Sequence, residues 1–205
     1  MMKRHSRLTA GMVALACTVW ASAGVLTAQE APAQAELPVL LTSCGQSPGP
    51  ERVRFFLKRL EMEHEFLEQA TAQNLVDAME AGTPYASIII VTGASLKGMG
   101  AAGVSIDEEL ARTEALIAEA NRQGITIIGA HVEGMSRRAQ GAAAGDNSDE
   151  LSIDAVCPNS DFMIVRQDGN EDRRFTIISE DNGIPLILFE KNMELGDVLE
   201  SVYNR

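Results

Sequence analysis

Apolar residues in this chain fall into short unbroken runs, separated by segments with helical spacing. Val39–Thr42, Ser87–Thr92, Ile125–Ala130, Phe162–Val165 and Pro185–Phe189 read as strands, with a weaker one near Glu63–Phe66. Most of these runs are continuous rather than alternating, the pattern of strands covered on both faces. Between them, helices are expected over Pro48–Leu60, Ala72–Ala81, Ile106–Gln123, Glu133–Gln140, Asp149–Val156, Glu171–Asn182 and Leu195–Tyr203. The Ile106 helix carries Ile106, Leu110, Ile117 and Ala120 on one stripe, opens on a Ser105-x-x-Glu108 capping box and stops at Gly124.

Strands alternating with helices at this spacing predict an α/β fold built on one doubly wound parallel sheet of five to six strands. The Rossmann-like order 3-2-1-4-5-6, assumed from fold frequency, puts the reversal of strand order between the strands ending at Thr42 and Ala130. Ligands of such sheets bind in the crevice beyond that point.

Residues 1–28 have the form of a signal peptide. Lys3, Arg4 and Arg7 precede an apolar core, Leu8–Trp20, and small residues then allow cleavage after Ala23 or Ala28. Ala14-Leu15-Ala16-Cys17 is a loose lipobox, but apolar Val19-Trp20 makes a poor start for an anchored chain. Residues 29–37 are Ala/Pro/Gln-rich and read as a disordered leader, and residues 38–205 as a single α/β domain, with the Ala/Gly stretch Gln140–Gly145 as a flexible connection inside it. A periplasmic or otherwise extracytoplasmic location follows, with no membrane insertion after cleavage.

The whole chain has a formal net charge of −12. Without the three basic residues of the signal it has 14 basic against 29 acidic residues, or −15. Such a balance repels phosphate backbones and argues against nucleic acid as a partner. Of the three cysteines, Cys44 and Cys157 survive cleavage. Placed at opposite ends of the sheet, they are expected to stay free.

Gly98, Gly100 and Gly103 match G-x-G-x-x-G, and Val91–Ser95 (VTGAS) resembles the turn that opens short-chain dehydrogenases. The resemblance fails in detail. Four residues rather than three separate Gly93 from Gly98, and the capping box starts its helix after the glycines, whereas the pyrophosphate needs them at a helix N-terminus. Neither Tyr85 nor Tyr203 opens a Tyr-x-x-x-Lys pair, and the next strand closes on Ala130-His131 instead of a ribose-binding carboxylate. No cofactor is expected. Gly93–Val104 is read as a long arm whose one charge, Lys97, closes over a ligand.

Other candidates cluster at strand ends. After the first strand, Gly45 permits a tight turn with upward-pointing amides, Ser43, Gln46 and Ser47 add neutral donors, and Pro48 starts a helix. Cys44, beside that helix, is a candidate nucleophile, although Pro50 breaks the Cys-x₅-Arg frame. His131 and Glu133 are a candidate acid/base pair; one His-x-Glu without a third ligand predicts no metal site. Arg137 and Arg138 offer counter-charge to an anion, and Ser95 stands at the foot of the Lys97 arm. Each has a plain structural counterpart: a capped turn, a half-buried thiol, a hydrogen-bonded core histidine, an exposed basic pair.

At TSCGQSPG (Thr42–Gly49), VTGASLKGMGAAGVSID (Val91–Asp107), GAHVEGMSRR (Gly129–Arg138) and SIDAVCPNSDF (Ser152–Phe162) the chain resembles a family of exported bacterial proteins known as a domain of unknown function. The resemblance spans Leu37 to Val202 and implies an α/β domain behind a signal peptide, with no catalytic residues to carry over. The leading expectation is an extracytoplasmic binding module for a small anionic or polar ligand, accessory to transport or sensing, with a homodimer or a transporter component as partner. The alternatives are a hydrolase or transferase using Cys44, His131 and Glu133, and an interaction protein without a ligand site.

Overall fold

The computed structural model describes residues 34–139 and 146–204; the signal segment, most of the leader and the Gln140–Gly145 stretch lie outside them. Six strands form one fully parallel sheet: β1 (Val39–Cys44), β2 (His64–Phe66), β3 (Ser87–Thr92), β4 (Thr126–His131), β5 (Phe162–Arg166) and β6 (Leu186–Phe189). The helices are α1 (Gly49–Arg59), α2 (Ala72–Glu80), α3 (Leu96–Ala102), α4 (Ile106–Gln123), α5 (Ser148–Val156), α6 (Arg174–Asn182) and α7 (Glu194–Val202).

The strand order is β2-β1-β3-β4-β5-β6, not the assumed 3-2-1-4-5-6. The lengths explain it. A 3-2-1 arrangement needs β2 as an inner strand, yet β2 has three residues, none of them fully buried. Such a strand suits an edge, while β1 and β3 pair along six residues and are buried throughout. The reversal point therefore lies between β1 and β3.

Alternate strand residues feed two cores. Val39, Leu41, Ile89, Val91, Ile128 and Ile164 pack under α1 and α7, together with Val53, Phe56, Leu195 and Leu199. Leu40, Ile88, Ile90 and Ile127 face α2, α4 and α5, and Met163 and Val165 face α5 and α6. Right-handed crossovers produce this division: only the β1–β2 connection runs leftward along the sheet, so α1 alone among the crossover helices takes the first face.

Four local expectations change. The Gly93–Val104 arm is mostly helix α3: Ser95 Oγ accepts the Gly98 amide at 3.0 Å, and Gly103 ends the helix at φ 72°. The helix expected over Glu133–Gln140 is a short 3₁₀ turn, Gly134–Arg137. The Glu171 helix starts at Arg174, because Asn170 Oδ1 accepts the amides of Phe175 and Thr176. In α4 the capping box and Gly124 stop stand as read, but the buried stripe is Glu109, Thr113, Leu116, Ile117 and Ala120. It includes two polar residues that an apolar pattern cannot single out.

Candidate functional site

Cys44 and Thr92 are register partners at the ends of β1 and β3, so the turns that leave them run side by side. An isolated bridge between Gln46 and Ala94 joins these turns, and the Ser95 amide donates to the Gly45 carbonyl at 2.7 Å. Gly45 has φ 104°, and a Cβ there would collide with the Gly93 carbonyl and Ala94 backbone. Side chains at this crossing would force the turns apart.

A cleft of about 520 Å³ opens above the paired turns. Ser43, Gln46 and Ser47 line it from the β1 turn, and Ser95 and Lys97 from the start of α3. Five of the polar residues singled out in the sequence are thus brought together. The sequence did not point to the opposite wall: Phe66 at the end of β2, Glu68 and Gln69 after it, and Glu51 on α1. Glu51, Glu68, Gln69 and Lys97 are exposed. Ser43 Oγ and Gln46 Nε2 both donate to the Glu68 carbonyl at 3.2 Å. The Ser47 and Ser95 hydroxyls accept helix amides, from Gly49 at 3.2 Å and Gly98 at 3.0 Å, which leaves their protons to donate.

Three of the turn amides already donate to side chains of the protein. Gly45 N donates to Glu109 Oε2 at 2.9 Å, Ala94 N to Asp149 Oδ1 at 2.6 Å, and Gly93 N to Ser152 Oγ at 2.9 Å. In the β1 turn, where the sequence suggests an anion cradle, the Gly45 amide is taken by the protein's own carboxylate. Glu109 also accepts from Gln46 Nε2 at 2.9 Å and pairs with Arg112 at 3.0 Å. Arg112 in turn donates at 2.6 Å to the carbonyls of both Ser43 and Ala70, binding α4, the β1 end and the β2–α2 loop beneath the cleft. Burial pushes the Glu109 carboxyl up, but the Arg112 guanidinium, Gln46 and the Gly45 amide outweigh it and hold the group below its usual range.

The remaining candidates stand away from the cleft. Cys44 and Cys157 are both free and buried. Cys44 packs with Leu75, Leu116 and Ile117, and burial pushes its thiol up to about 11, the reverse of nucleophile activation. His131 is fully buried between Thr92 Oγ1, 3.0 Å from Nδ1, and the Gly134 carbonyl, 3.0 Å from Nε2. The carbonyl requires a proton on Nε2, which leaves Nδ1 to accept from Thr92. Burial, with Arg138 adding to it, depresses His131 to about 4. Its ring lies 4.9 Å from that of Phe175, whereas Glu133 turns toward Gly49 at the start of α1, so the two do not bond to each other. Glu133 lies 3.5 Å from Arg137 Nε, and Arg137 donates to the Ala94 carbonyl at 3.0 Å. Arg138 is buried, bridging Glu150 at 2.8 Å and Asp172 at 2.7 Å and donating to the Gly169 carbonyl. Arg137 supports the β3 turn from outside the cleft, and Arg138 ties α5 to the β5–α6 connection. Both basic groups are spent on the fold because each meets carbonyls or carboxylates of its own chain. Among the described residues, no cluster of three or more His, Cys, Asp or Glu is placed to hold a metal, and no helix is long and apolar enough to cross a membrane.

A family model described as a domain of unknown function (DUF6305) matches residues 36–203. No curated protein matches the chain. Among solved structures, a GDP-L-fucose synthetase from Naegleria fowleri bound to NADP aligns at 9% identity and a TM-score of 0.36, over 77% of this chain and 51% of that one. The chain therefore spans about half the length of that enzyme. A GDSL-like lipase from Bacteroides thetaiotaomicron aligns at 15% identity and TM-score 0.34, over 80% of this chain and 83% of the other. A putative acylhydrolase from Bacteroides fragilis aligns at 16% and 0.35, over 84% and 79%.

Proposed function

Since this chain belongs to the DUF6305 family, whose description assigns no activity, its own residues have to carry the functional reading, and we propose a binding module for a small zwitterionic or otherwise polar molecule. One observation carries the proposal: the cleft at the reversal point is lined by polar side chains, while the Gly45 and Ala94 amides of the turns are taken by Glu109 and Asp149. A simple anion finds Lys97 alone among the described lining residues as a cation, and across the cleft meets Glu68 and Glu51, the latter 3.2 Å from Arg54. A molecule with a carboxylate and an ammonium suits the lining better: Lys97 for the first, Glu51 and Glu68 for the second, Ser47 and Ser95 as hydroxyl donors, and Phe66 as an apolar wall. The export-type sequence of residues 1–28 supports action outside the cytoplasm, and the acidic balance supports a small molecule over nucleic acid.

Calorimetric titration of the protein with amino acids, amino sugars, inorganic phosphate, dicarboxylates and diamines tests this reading. Binding of a zwitterion, weakened roughly tenfold or more by Lys97→Ala and by Glu68→Gln, is the expected result. Both residues are exposed, so these changes leave the fold intact. Binding of phosphate or dicarboxylates alone, or of no compound, overturns it.

A further inference from the structure

The face formed by α1 and α7 has a composition unlike the rest of this acidic chain. Helix α1 carries Arg52, Phe55, Phe56 and Arg59 along one stripe at helical spacing, and α7 carries Glu194, Asp197 and Glu200. Gly196 lets the helices approach closely, since a Cβ there would press on the Phe56 ring at 3.0 Å. Between them run two adjoining grooves. The first, of about 400 Å³, is walled by Phe55, Phe56, Val132, Phe189, Met193 and Leu195. Phe55 and Met193 are 56% and 58% exposed, a large apolar outlay for two neighbouring surface residues. The second groove sets Arg59 on one wall against Asp197 and Glu200 on the other. Among the described residues, Arg59, Asp197 and Glu200 enter no ion pair with one another or with any other group.

Opposite charges that share a groove without pairing, around an exposed aromatic centre, are what a self-complementary interface requires. We propose that this face is the contact surface of a symmetric dimer, with a second copy of the chain as its occupant. Both helices follow a strand of the parallel sheet and so run in the same direction. A two-fold axis lying between them and parallel to them keeps each residue at its own level. It sets α1 of one copy over α7 of the other. Arg59 of each copy then meets the acidic wall at Asp197 and Glu200 of its partner, and the Phe55 and Met193 side chains cover one another at the centre. Repulsion between two chains of net charge −12 is offset locally, because the basic stripe of α1 lies within the contact.

Sedimentation velocity on the purified protein at low and high salt tests this, with far-UV circular dichroism as the check on folding. The expected species is a dimer that weakens as salt rises. Phe55→Asp should make it monomeric with unchanged ellipticity. Arg59→Glu alone and Asp197→Arg alone should each weaken the dimer roughly tenfold, since each places like charges at both symmetry-related contacts. A mixture of those two variants should form the heterodimer in preference to either homodimer, because both contacts are then complementary. A wild-type monomer at the highest soluble concentration, the result expected if another protein covers this face, overturns the proposal. So does a dimer indifferent to Phe55→Asp, or two charge variants that mix without preference.

Discussion

Glu109 Oε2 lies 2.9 Å from the amide nitrogen of Gly45, so the tight turn that closes β1 already holds a carboxylate. The group comes from the first turn of α4, more than sixty residues away in the chain. Through Arg112 the same carboxylate is linked to the carbonyls of Ser43 and Ala70. An internal ion pair therefore braces the β1 turn whose Ser43 and Gln46 line the cleft.

Glu109→Ala should cost about 3–5 kcal/mol, because it leaves the mostly buried Arg112 guanidinium without its counter-charge and the Gly45 amide without an acceptor. The depressed carboxyl fixes the sign of the pH effect. Its contribution is complete above the ordinary carboxylate range and fades as pH falls through the lowered native value. Urea denaturation at neutral pH measures the loss; a change under about 1 kcal/mol would show that the pair carries no weight.

Burial pushes His131 down from the ordinary histidine value of about 6.5 to about 4 in the folded protein, so the unfolded chain binds more protons between those values. Stability should be complete above about pH 6.5 and decline as pH falls toward 4, by about 2 kcal/mol between pH 7 and pH 5. The comparison is the urea midpoint of wild type and His131→Gln at both pH values. An identical pH slope in the two proteins would falsify the assignment.

Two glycines of the G-x-G-x-x-G match should behave oppositely. A Cβ at Gly98 would overlap the Gln46 carbonyl oxygen, whereas one at Gly100 meets nothing within 4 Å. Gly98→Ala is expected to destabilise by about 1–3 kcal/mol as α3 is pushed off the β1 turn. Gly100→Ala, inside the same helix, should stabilise by about 0.5–1 kcal/mol. Equal effects of the two substitutions on the thermal midpoint would contradict the packing described here.

Neither Cys44 nor Cys157 should react with an aromatic disulfide reagent at neutral pH while the protein is folded. Both are fully buried, and burial raises both thiols, that of Cys44 to about 11. Both should react promptly in denaturant. Rapid labelling of native Cys44 would reopen its reading as a nucleophile.

Much of the architecture was legible because its signals are local. Continuous apolar runs marked every long strand, and the Ser105–Glu108 capping box and Gly124 marked both ends of α4. The β2 strand, with only His64–Phe66, was the weakest signal in the sequence, and its shortness also sent it to the edge and reset the strand order. Helix α3 reads as a loop in the sequence because Gly98, Gly100 and Gly103 fall within six residues. Its Ser95 cap was visible, but the reason for Gly98, a carbonyl crossing from the β1 turn, was not.

The chain by itself determined that the fold is a parallel α/β sheet and that polar residues gather after β1 and β3, since periodicity and turn chemistry act over a few neighbouring residues. Only the tertiary structure decided which of those groups remain available. Ser47, Ser95 and Lys97 reach the cleft, while Arg138 and His131 are consumed by partners contributed from other elements. Buried amides and charges take the nearest complementary group in space, and that distance is set by how helices pack across the sheet. Glu109, an ordinary first-turn acid in the sequence, became the counter-ion of the β1 turn for this reason.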